Sequence, residues 1–419
     1  MIFLAWTMSS HRRQFPWRVV LAGSLLQVSI AWAILNTENG LKLFRKLGDF
    51  FTQLLSFVDA GSKMVFGADY GDHFIAFRVL PTIIFFSALM AILYHLGIMQ
   101  IVVRILSRIM QITLGVSGAE SLSAAANIFV GQTEAPLVIR PYVATLTRSE
   151  LMSVMVGGFA TIAGGVMAAY IGMGVNAAHL LTASVISAPA GLLIAKVLQP
   201  EVDTPETLGV VAKDPPRTSS NVIEAAANGT TEGLHLALNV GAMLIAFLAL
   251  IAMMDYALEH LSAWAFAKVG FEADPITMTS LLGTLFSPLA WLMGIEWKEC
   301  AAAGELLGLK LVATEFIAYE RMGEWMTDDP EFRRLSDRSF LILTYALCGF
   351  SNFASIGIQI GGIGALAPER RKDLTEIAFR AMLGGMLACC MTACIAGILW
   401  EDPALHTAVV DPVAETGGK

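Results

Sequence analysis

Within the run Asn127-Ile128-Phe129-Val130-Gly131-Gln132-Thr133-Glu134-Ala135-Pro136 the chain gathers amide, hydroxyl and carboxylate side chains, in surroundings apolar enough to lie in a bilayer. Hydrocarbon penalises every unsatisfied polar group, so such a cluster persists only where it faces a cavity or a partner. A second carboxylate stands in Val312-Ala313-Thr314-Glu315-Phe316-Ile317, where Thr314-Glu315 repeats the Thr133-Glu134 pair. An isolated carboxylate in an apolar site takes up a proton unless donors hold it ionised. A polyhydroxylated or amide-bearing solute brings such donors. Gln132 and Asn352 each offer a donor and an acceptor, Thr133 and Ser355 offer hydroxyls, and Phe350 an aromatic face. The set therefore suits a neutral, hydrogen-bonding solute. The competing use of Glu134 and Glu315 is to satisfy helix ends.

A second group consists of hard oxygen alone: Asn127, Thr161 and the carbonyls freed where helices break at Val130 and Ile162. Hard oxygens suit a hard monovalent cation, and transporters place coupling ions at unwound helices. The alternative is a plain hydrogen bond between Asn127 and Thr161. One cation moving down 100 mV releases ~2.3 kcal/mol, enough for substantial solute accumulation at ~1.4 kcal/mol per factor of ten.

The elements that carry these groups are membrane helices. The chain of 419 residues is 56% hydrophobic and 15% charged, whereas soluble domains are about 25% charged. Windows such as Trp17 to Leu35, Leu80 to Met99, Leu234 to Met254 and Ala378 to Trp400 approach the ~20 residues that a spanning helix needs. Alternating β patterns of a barrel are absent. A net charge of -8 leaves no basic footprint for nucleic acid. The five cysteines form no CxxC and the histidines no HExxH, so buried thiols and packing imidazoles, including His95 and His179, are the expectation. Met1 to Met8 reads as the end of a first spanning helix rather than a cleavable signal, and His11, Arg12, Arg13 and Arg18 after it mark a cytoplasmic loop.

Leu41 to Ala60 carries its apolar residues on one helical face, which predicts a helix along the membrane surface or packed between domains. A long helix follows from about Phe74 to Met110. Residues 119–146 are too polar in the middle for one spanning helix and read as two half-helices meeting in a re-entrant turn. Leu151 to Gly174 is a helix interrupted at Thr161-Ile162-Ala163-Gly164-Gly165. The second half replays this order: a hairpin at Ala301 to Met322, a break at Phe350-Ser351-Asn352-Phe353-Ala354-Ser355-Ile356-Gly357, then a closing helix, as transporter folds built from repeats do.

Gly131-Gln132-Thr133-Glu134-Ala135-Pro136-Leu137, Ala313-Thr314-Glu315-Phe316-Ile317-Ala318-Tyr319 and Cys348-Gly349-Phe350-Ser351-Asn352-Phe353-Ala354-Ser355-Ile356 resemble, in that order, the hairpin and broken-helix motifs of the concentrative nucleoside transporters. The resemblance covers nearly the whole chain from about Arg12 onward. It implies import of nucleosides with a cation by a homotrimer in which each protomer has its own pathway. It further implies that Gln132, Thr133 and Glu134 contact the nucleobase, that Val166 and Phe350 line its pocket, and that Glu315, Asn352 and Ser355 hold the ribose. Sodium would be bound at Asn127, Val130, Thr161 and Ile162. The absence of long polar tails is expected of a bacterial-type member in the inner membrane.

The combined expectation is an all-α polytopic membrane protein of about eight transmembrane helices plus two re-entrant helical hairpins in an inverted internal repeat. It is no enzyme and needs no cofactor beyond sodium as coupling ion; its partners are nucleoside and membrane lipid. Residues 1–73 hold N-terminal helices and the interfacial helix, 74–110 a long scaffold helix, 201–232 a polar loop, 233–298 scaffold and connecting helices, and 401–419 a polar tail. The transport domain is drawn from 111–200 and 299–400. Proton coupling through a carboxylate such as Glu134 is the closest rival. A nucleoside-processing hydrolase using Glu134 and Glu315 as an acid/base pair, or a sensor without transport, is more remote.

Overall fold

The computed structural model describes residues 1–210, 219–269, 275–326 and 333–400, and among these every regular element is helical. The polar tail 401–419 lies outside them. In chain order the first elements are α1 (Ile2–Thr7), α2 (Trp17–Leu35), α3 (Glu38–Ser56), α4 (Val58–Phe66), α5 (Leu80–His95) and α6 (Ile98–Leu114). The amphipathic α3 begins at Thr37, whose hydroxyl accepts the Gly40 amide at 3.0 Å and so ends the run of α2. The single helix expected over 74–110 is in fact interrupted. A π-helical turn over Phe74–Val79 leads into α5, and Gly97 at φ 83° turns the chain between α5 and α6. A left-handed residue there breaks helical continuity, and glycine adopts it without steric cost.

The first polar region comprises α7 (Gly118–Ala126), α8 (Ala135–Val138), α9 (Arg148–Ala160), α10 (Gly164–Gly172) and α11 (Ala177–Leu198). Both α7 and α9 start with a reciprocal capping box, Ser117 with Glu120 and Thr147 with Glu150, which satisfies the free amides of each first turn. The returning arm of the hairpin is less regular than expected: after the four residues of α8 it continues as a 3-10 helix over Arg140–Thr145, held in place by Pro136 and Pro141.

Next come α12 (Val222–Val269) and α13 (Met278–Leu292), then α14 (Cys300–Val312), α15 (Glu315–Glu324), α16 (Asp337–Leu347), α17 (Phe353–Leu366) and α18 (Arg371–Leu399). The order of two short helices, a broken helix and a long closing helix thus occurs twice. Helix α12 is 48 residues long. At ~1.5 Å per residue it far exceeds a ~30 Å hydrocarbon core. It begins at Val222, so the end of the expected loop 201–232 is helical. Gly229 and Gly233, spaced as GxxxG, let it approach α5 closely: a Cβ at Gly229 would stand 2.7 Å from the Ser87 carbonyl, and one at Gly233 2.8 Å from the Ile84 Cα. Among the described residues six helices are long and apolar enough to cross a membrane.

The two halves interlock, since α9 and α11 pack on α18, and α18 on α16. At one end of this core Lys196 of α11, nearly fully buried, pairs with Glu120 at 2.8 Å and Glu201 at 3.1 Å, and donates to Ser149 Oγ at 2.9 Å. The loop beginning at Glu201, expected to be solvated, is partly tied down here. Thr207 is buried and accepts the Gly118 and Ala119 amides at 3.0 Å each, because the first turn of α7 needs partners. Removing one member of a buried ion pair leaves the other uncompensated, at a cost of ~3–5 kcal/mol. Lys196→Met is therefore expected to lower the thermal unfolding midpoint of purified protein clearly, and adding Glu120→Gln to recover much of that loss. Additive losses would show that the pair is not coupled.

Candidate functional site

Four interruptions meet in one place: the turn between α7 and α8, the α9–α10 break, the turn between α14 and α15, and the α16–α17 break. The Gly164 amide donates to the Phe129 carbonyl at 3.1 Å, and the Phe350 amide to the Thr161 carbonyl at 3.2 Å. Backbone groups freed by each break are thereby used by another, which is what allows irregular chain at membrane depth.

Glu315 opens α15, and its side chain is turned across to the other elements. Oε1 accepts from the Tyr170 hydroxyl of α10 at 2.8 Å and Oε2 from Asn352 Nδ2 at 2.9 Å. Asn352 is the N-cap of α17, its Oδ1 accepting the Ser355 amide at 2.9 Å. Capping fixes the amide, so its Nδ2 is left to face Glu315. Ser355 Oγ in turn accepts from Gln132 Nε2 at 3.0 Å, and Gln132 Oε1 accepts from Gln359 Nε2 at 3.1 Å. A continuous polar chain therefore joins the second hairpin to the first. Gly158 permits it, since a Cβ there would lie 2.8 Å from Gln359 Nε2 and 2.9 Å from the Gln132 Cβ.

Glu134 stands outside that chain. Its side chain makes no capping bond to α8, it folds back over Gly131, and Oε2 is buried without a hydrogen-bond partner. Thr133 packs on α17, where a Cβ at Gly362 would be 3.0 Å from its Cγ2. Val166 is buried one turn before Tyr170 on α10, and Phe350 is half-buried beside Thr161.

The hard-oxygen group also assembles. Asn127 ends α7 at 1% exposure, and neither its Oδ1 nor its Nδ2 has a partner. Thr161 Oγ1 donates to the Gly157 carbonyl at 2.9 Å, so the Asn127–Thr161 hydrogen bond is not formed. Among the described residues no hydrogen bond reaches the carbonyl of Val130 or of Ile162. Orphaned buried oxygens at two adjoining breaks have the chemistry a hard cation needs.

Sequence reasoning passed over three residues that the structure brings in. Gln359 follows Ser355 by one helical turn as a lone amide in an apolar segment, a signal visible at i, i+4 spacing. Tyr170 repeats that spacing after Val166. Lys310, fully buried in α14, donates to the Ala346 carbonyl at 2.8 Å and places a positive charge within electrostatic reach of Glu315. His179 and four of the five cysteines do as expected: His179 lies 3.2 Å from the Tyr345 hydroxyl, Cys300, Cys348, Cys389 and Cys390 are buried thiols, and Cys394 is half-buried.

Polar side chains gathered at paired helix breaks inside a multi-pass helical membrane protein are the way secondary transporters build their sites. Family models described as Na+ dependent nucleoside transporter N-terminus, Nucleoside recognition, and Na+ dependent nucleoside transporter C-terminus match residues 1–69, 76–177 and 179–397. The chain is 42% identical to an "Uncharacterized transporter" of Haemophilus influenzae, over 95% of each chain. It is 43% identical to Solute carrier family 28 member 3 of Homo sapiens over 96% of its own residues, spanning 59% of that longer protein. A solved structure of CNTnw in an inward-facing substrate-bound state matches at TM-score 0.88 with 39% identity, over 95% of both chains. The chain belongs to the concentrative nucleoside transporter family, whose members are transporters and not enzymes.

Proposed function

We propose that this protein imports nucleosides by symport with sodium across the inner membrane, as a homotrimer of independent protomers. The observation that carries the reading is the bonded chain Tyr170–Glu315–Asn352–Ser355–Gln132, which ends in donors and acceptors matched to a nucleoside. A ribose presents hydroxyls that can replace Tyr170 as donor to the Glu315 carboxylate and meet Asn352 and Ser355. Gln132 then turns its amide to the base edge, with Thr133 and Glu134 beside it and Val166 and Phe350 as walls. The unpartnered Glu134 oxygen favours a ligand that brings a donor. Sodium is held by Asn127, Val130, Thr161 and Ile162, where neutral oxygen ligands replace its hydration shell. Asn127 and Gln132 share one short segment, so the cation orders the first hairpin and completes the nucleobase site.

The architecture is about eight spanning elements with two re-entrant hairpins in inverted repeat. Segments 111–200 and 299–400 form a transport domain that moves against a scaffold from 74–110 and 233–298. The exposed apolar side chains of α12, such as Leu238 and Ile245, are free for lipid or neighbouring protomers.

Uptake of labelled uridine into proteoliposomes, under a sodium gradient or a pH gradient applied separately, tests the reading. Accumulation of chemically unchanged uridine with sodium alone is expected. Accumulation with the pH gradient alone would make Glu134 the coupling group, a converted product would indicate an enzyme, and saturable binding without accumulation would indicate a sensor.

A further inference from the structure

The interface between α7 and α9 is polar along its length, and the nucleoside site does not use it. Ser117, Glu120, Ser123 and Asn127 follow one another at steps of three, three and four, so they share one face of α7 and its flanks. Glu150, Ser153, Gly157 and Thr161 do the same along α9 at steps of three, four and four. Contacts at both ends align the two faces. Ser117 Oγ donates to Glu150 Oε1 at 2.5 Å, and Asn127 Nδ2 lies 3.2 Å from where a Cβ on Gly157 would stand. The helices therefore run parallel, with Ser123 and Ser153 between those contacts.

Both serines are buried, at 0% and 1% exposure, and neither hydroxyl has a partner. A helical serine commonly turns its hydroxyl back to the preceding turn, as Ser121 does to the Gly118 carbonyl at 3.1 Å. Ser123 and Ser153 make no such bond, and their positions on the facing stripes of α7 and α9 place them at the seam. Unmet hydroxyls at such depth are unfavourable, and in proteins such groups are met by water or an ion. One end of the seam is Asn127 at the helix breaks. At the other, Lys196 is ion-paired with Glu120 and Glu201, and Glu150 lies beside them, accepting from Ser117 Oγ. Beyond them lies a cavity of about 210 Å3 lined by Ser10, Arg148, Ser149, Gln199, Glu201 and Arg380. Ser10 belongs to the loop of Arg12 and Arg13, and its amide bonds the Leu198 carbonyl at 2.9 Å, which puts this end on the cytoplasmic side by the charge bias of loops.

We propose that the α7–α9 seam is the cation's own route between the helix-break site and the cytoplasm, separate from the nucleoside path, with a transient oxygen subsite at Ser123 and Ser153. This rests on the sodium-symport reading above. The side chains along the seam are hydroxyl, amide and carboxylate, with the Lys196 ammonium ion-paired to Glu120 and Glu201 at the cytoplasmic end and no aromatic face among them, which fits a hard monovalent cation with water and not a nucleobase.

The test compares two transport modes in proteoliposomes. Net uptake of labelled uridine requires sodium to leave in every cycle; exchange of uridine with saturating sodium on both sides does not. In the pair Ser123→Val/Ser153→Val, net uptake is expected to fall at least about tenfold, the effect of ~1.4 kcal/mol added to a barrier. Exchange should stay within about twofold of wild type, a change of under ~0.5 kcal/mol. Should the valines impair folding and abolish both modes, the pair Ser123→Ala/Ser153→Ala decides, because it removes the hydroxyls without adding bulk; it is expected to slow net uptake selectively. If the alanine pair lowers both modes together, or neither, the seam is not the route. Wild-type vesicles lacking sodium-driven uptake would overturn the symport reading and the seam with it.

Discussion

Replacing Glu315 by Gln is expected to weaken nucleoside binding about 100-fold, the equivalent of ~3 kcal/mol, while leaving the helical fold intact. The carboxylate offers only acceptors, and two donors converge on it from different elements, Tyr170 on α10 and Asn352 at the start of α17. A hydrogen bond to a charged group contributes ~1.5–3 kcal/mol, against about 1 for a neutral pair. Glutamine lacks the charge, so even with its oxygen toward Asn352 and its amide nitrogen donating to the Tyr170 oxygen it keeps only two neutral hydrogen bonds and leaves one acceptor fewer for a ligand hydroxyl. The bond to Asn352 is weakened, and Asn352 is the residue that orients Ser355 and, through it, Gln132. The damage therefore spreads along the polar chain to the side meant for the base. Calorimetric titration of uridine into purified protein in sodium measures the effect, with the thermal midpoint as control for folding. Unchanged affinity would reduce Glu315 to a structural tie between α10 and α17.

Asn127→Ala is the second large expectation. The sodium concentration for half-maximal uridine binding should rise more than tenfold, a loss of over ~1.4 kcal/mol, with affinity at saturating sodium within about twofold of wild type. Asn127 is the one side chain at the breaks with both polar atoms buried and unpaired, so nothing else in the fold claims it. Its removal takes an oxygen from the cation without breaking a protein hydrogen bond. Were the site merely structural, deleting an orphaned buried amide would stabilise the protein and leave the sodium curve in place. Measuring uridine binding across a sodium series balanced with choline separates the two. A sodium curve that does not move would return the coupling to a carboxylate, with Glu134 the first to examine.

Glu134 also shows where reading the chain and seeing it folded diverge. The paired Thr-Glu motifs imply two equivalent carboxylates, yet only Glu315 is built into the bonded chain, whereas Glu134 lies over Gly131 with a free oxygen. The two motifs also differ in backbone: Thr314 is an extended cap and Glu315 the first residue of the ten-residue α15, whereas Glu134 sits in a turn closed on the Gly131 carbonyl just before the short α8, so the two side chains meet different neighbours.

What the amino-acid sequence determined by itself is everything that follows from desolvation and local geometry. Polar residues in apolar segments must face something, the stretches Thr161-Ile162-Ala163-Gly164-Gly165 and Phe350-Ser351-Asn352-Phe353-Ala354-Ser355-Ile356-Gly357 interrupt helices, and the order of these features repeats. Those constraints act within a few residues, so they can be read along the chain. Only the tertiary structure decided that Tyr170 and Asn352 converge on Glu315, that Gln359 holds Gln132, that Gly97 divides the helix expected over 74–110, and that Lys196 pairs with Glu120 and Glu201 beside α7. Each of these joins residues far apart in the chain or turns on one backbone torsion. Their pairing is set by which helix faces can pack closely, a many-body outcome that no local period encodes.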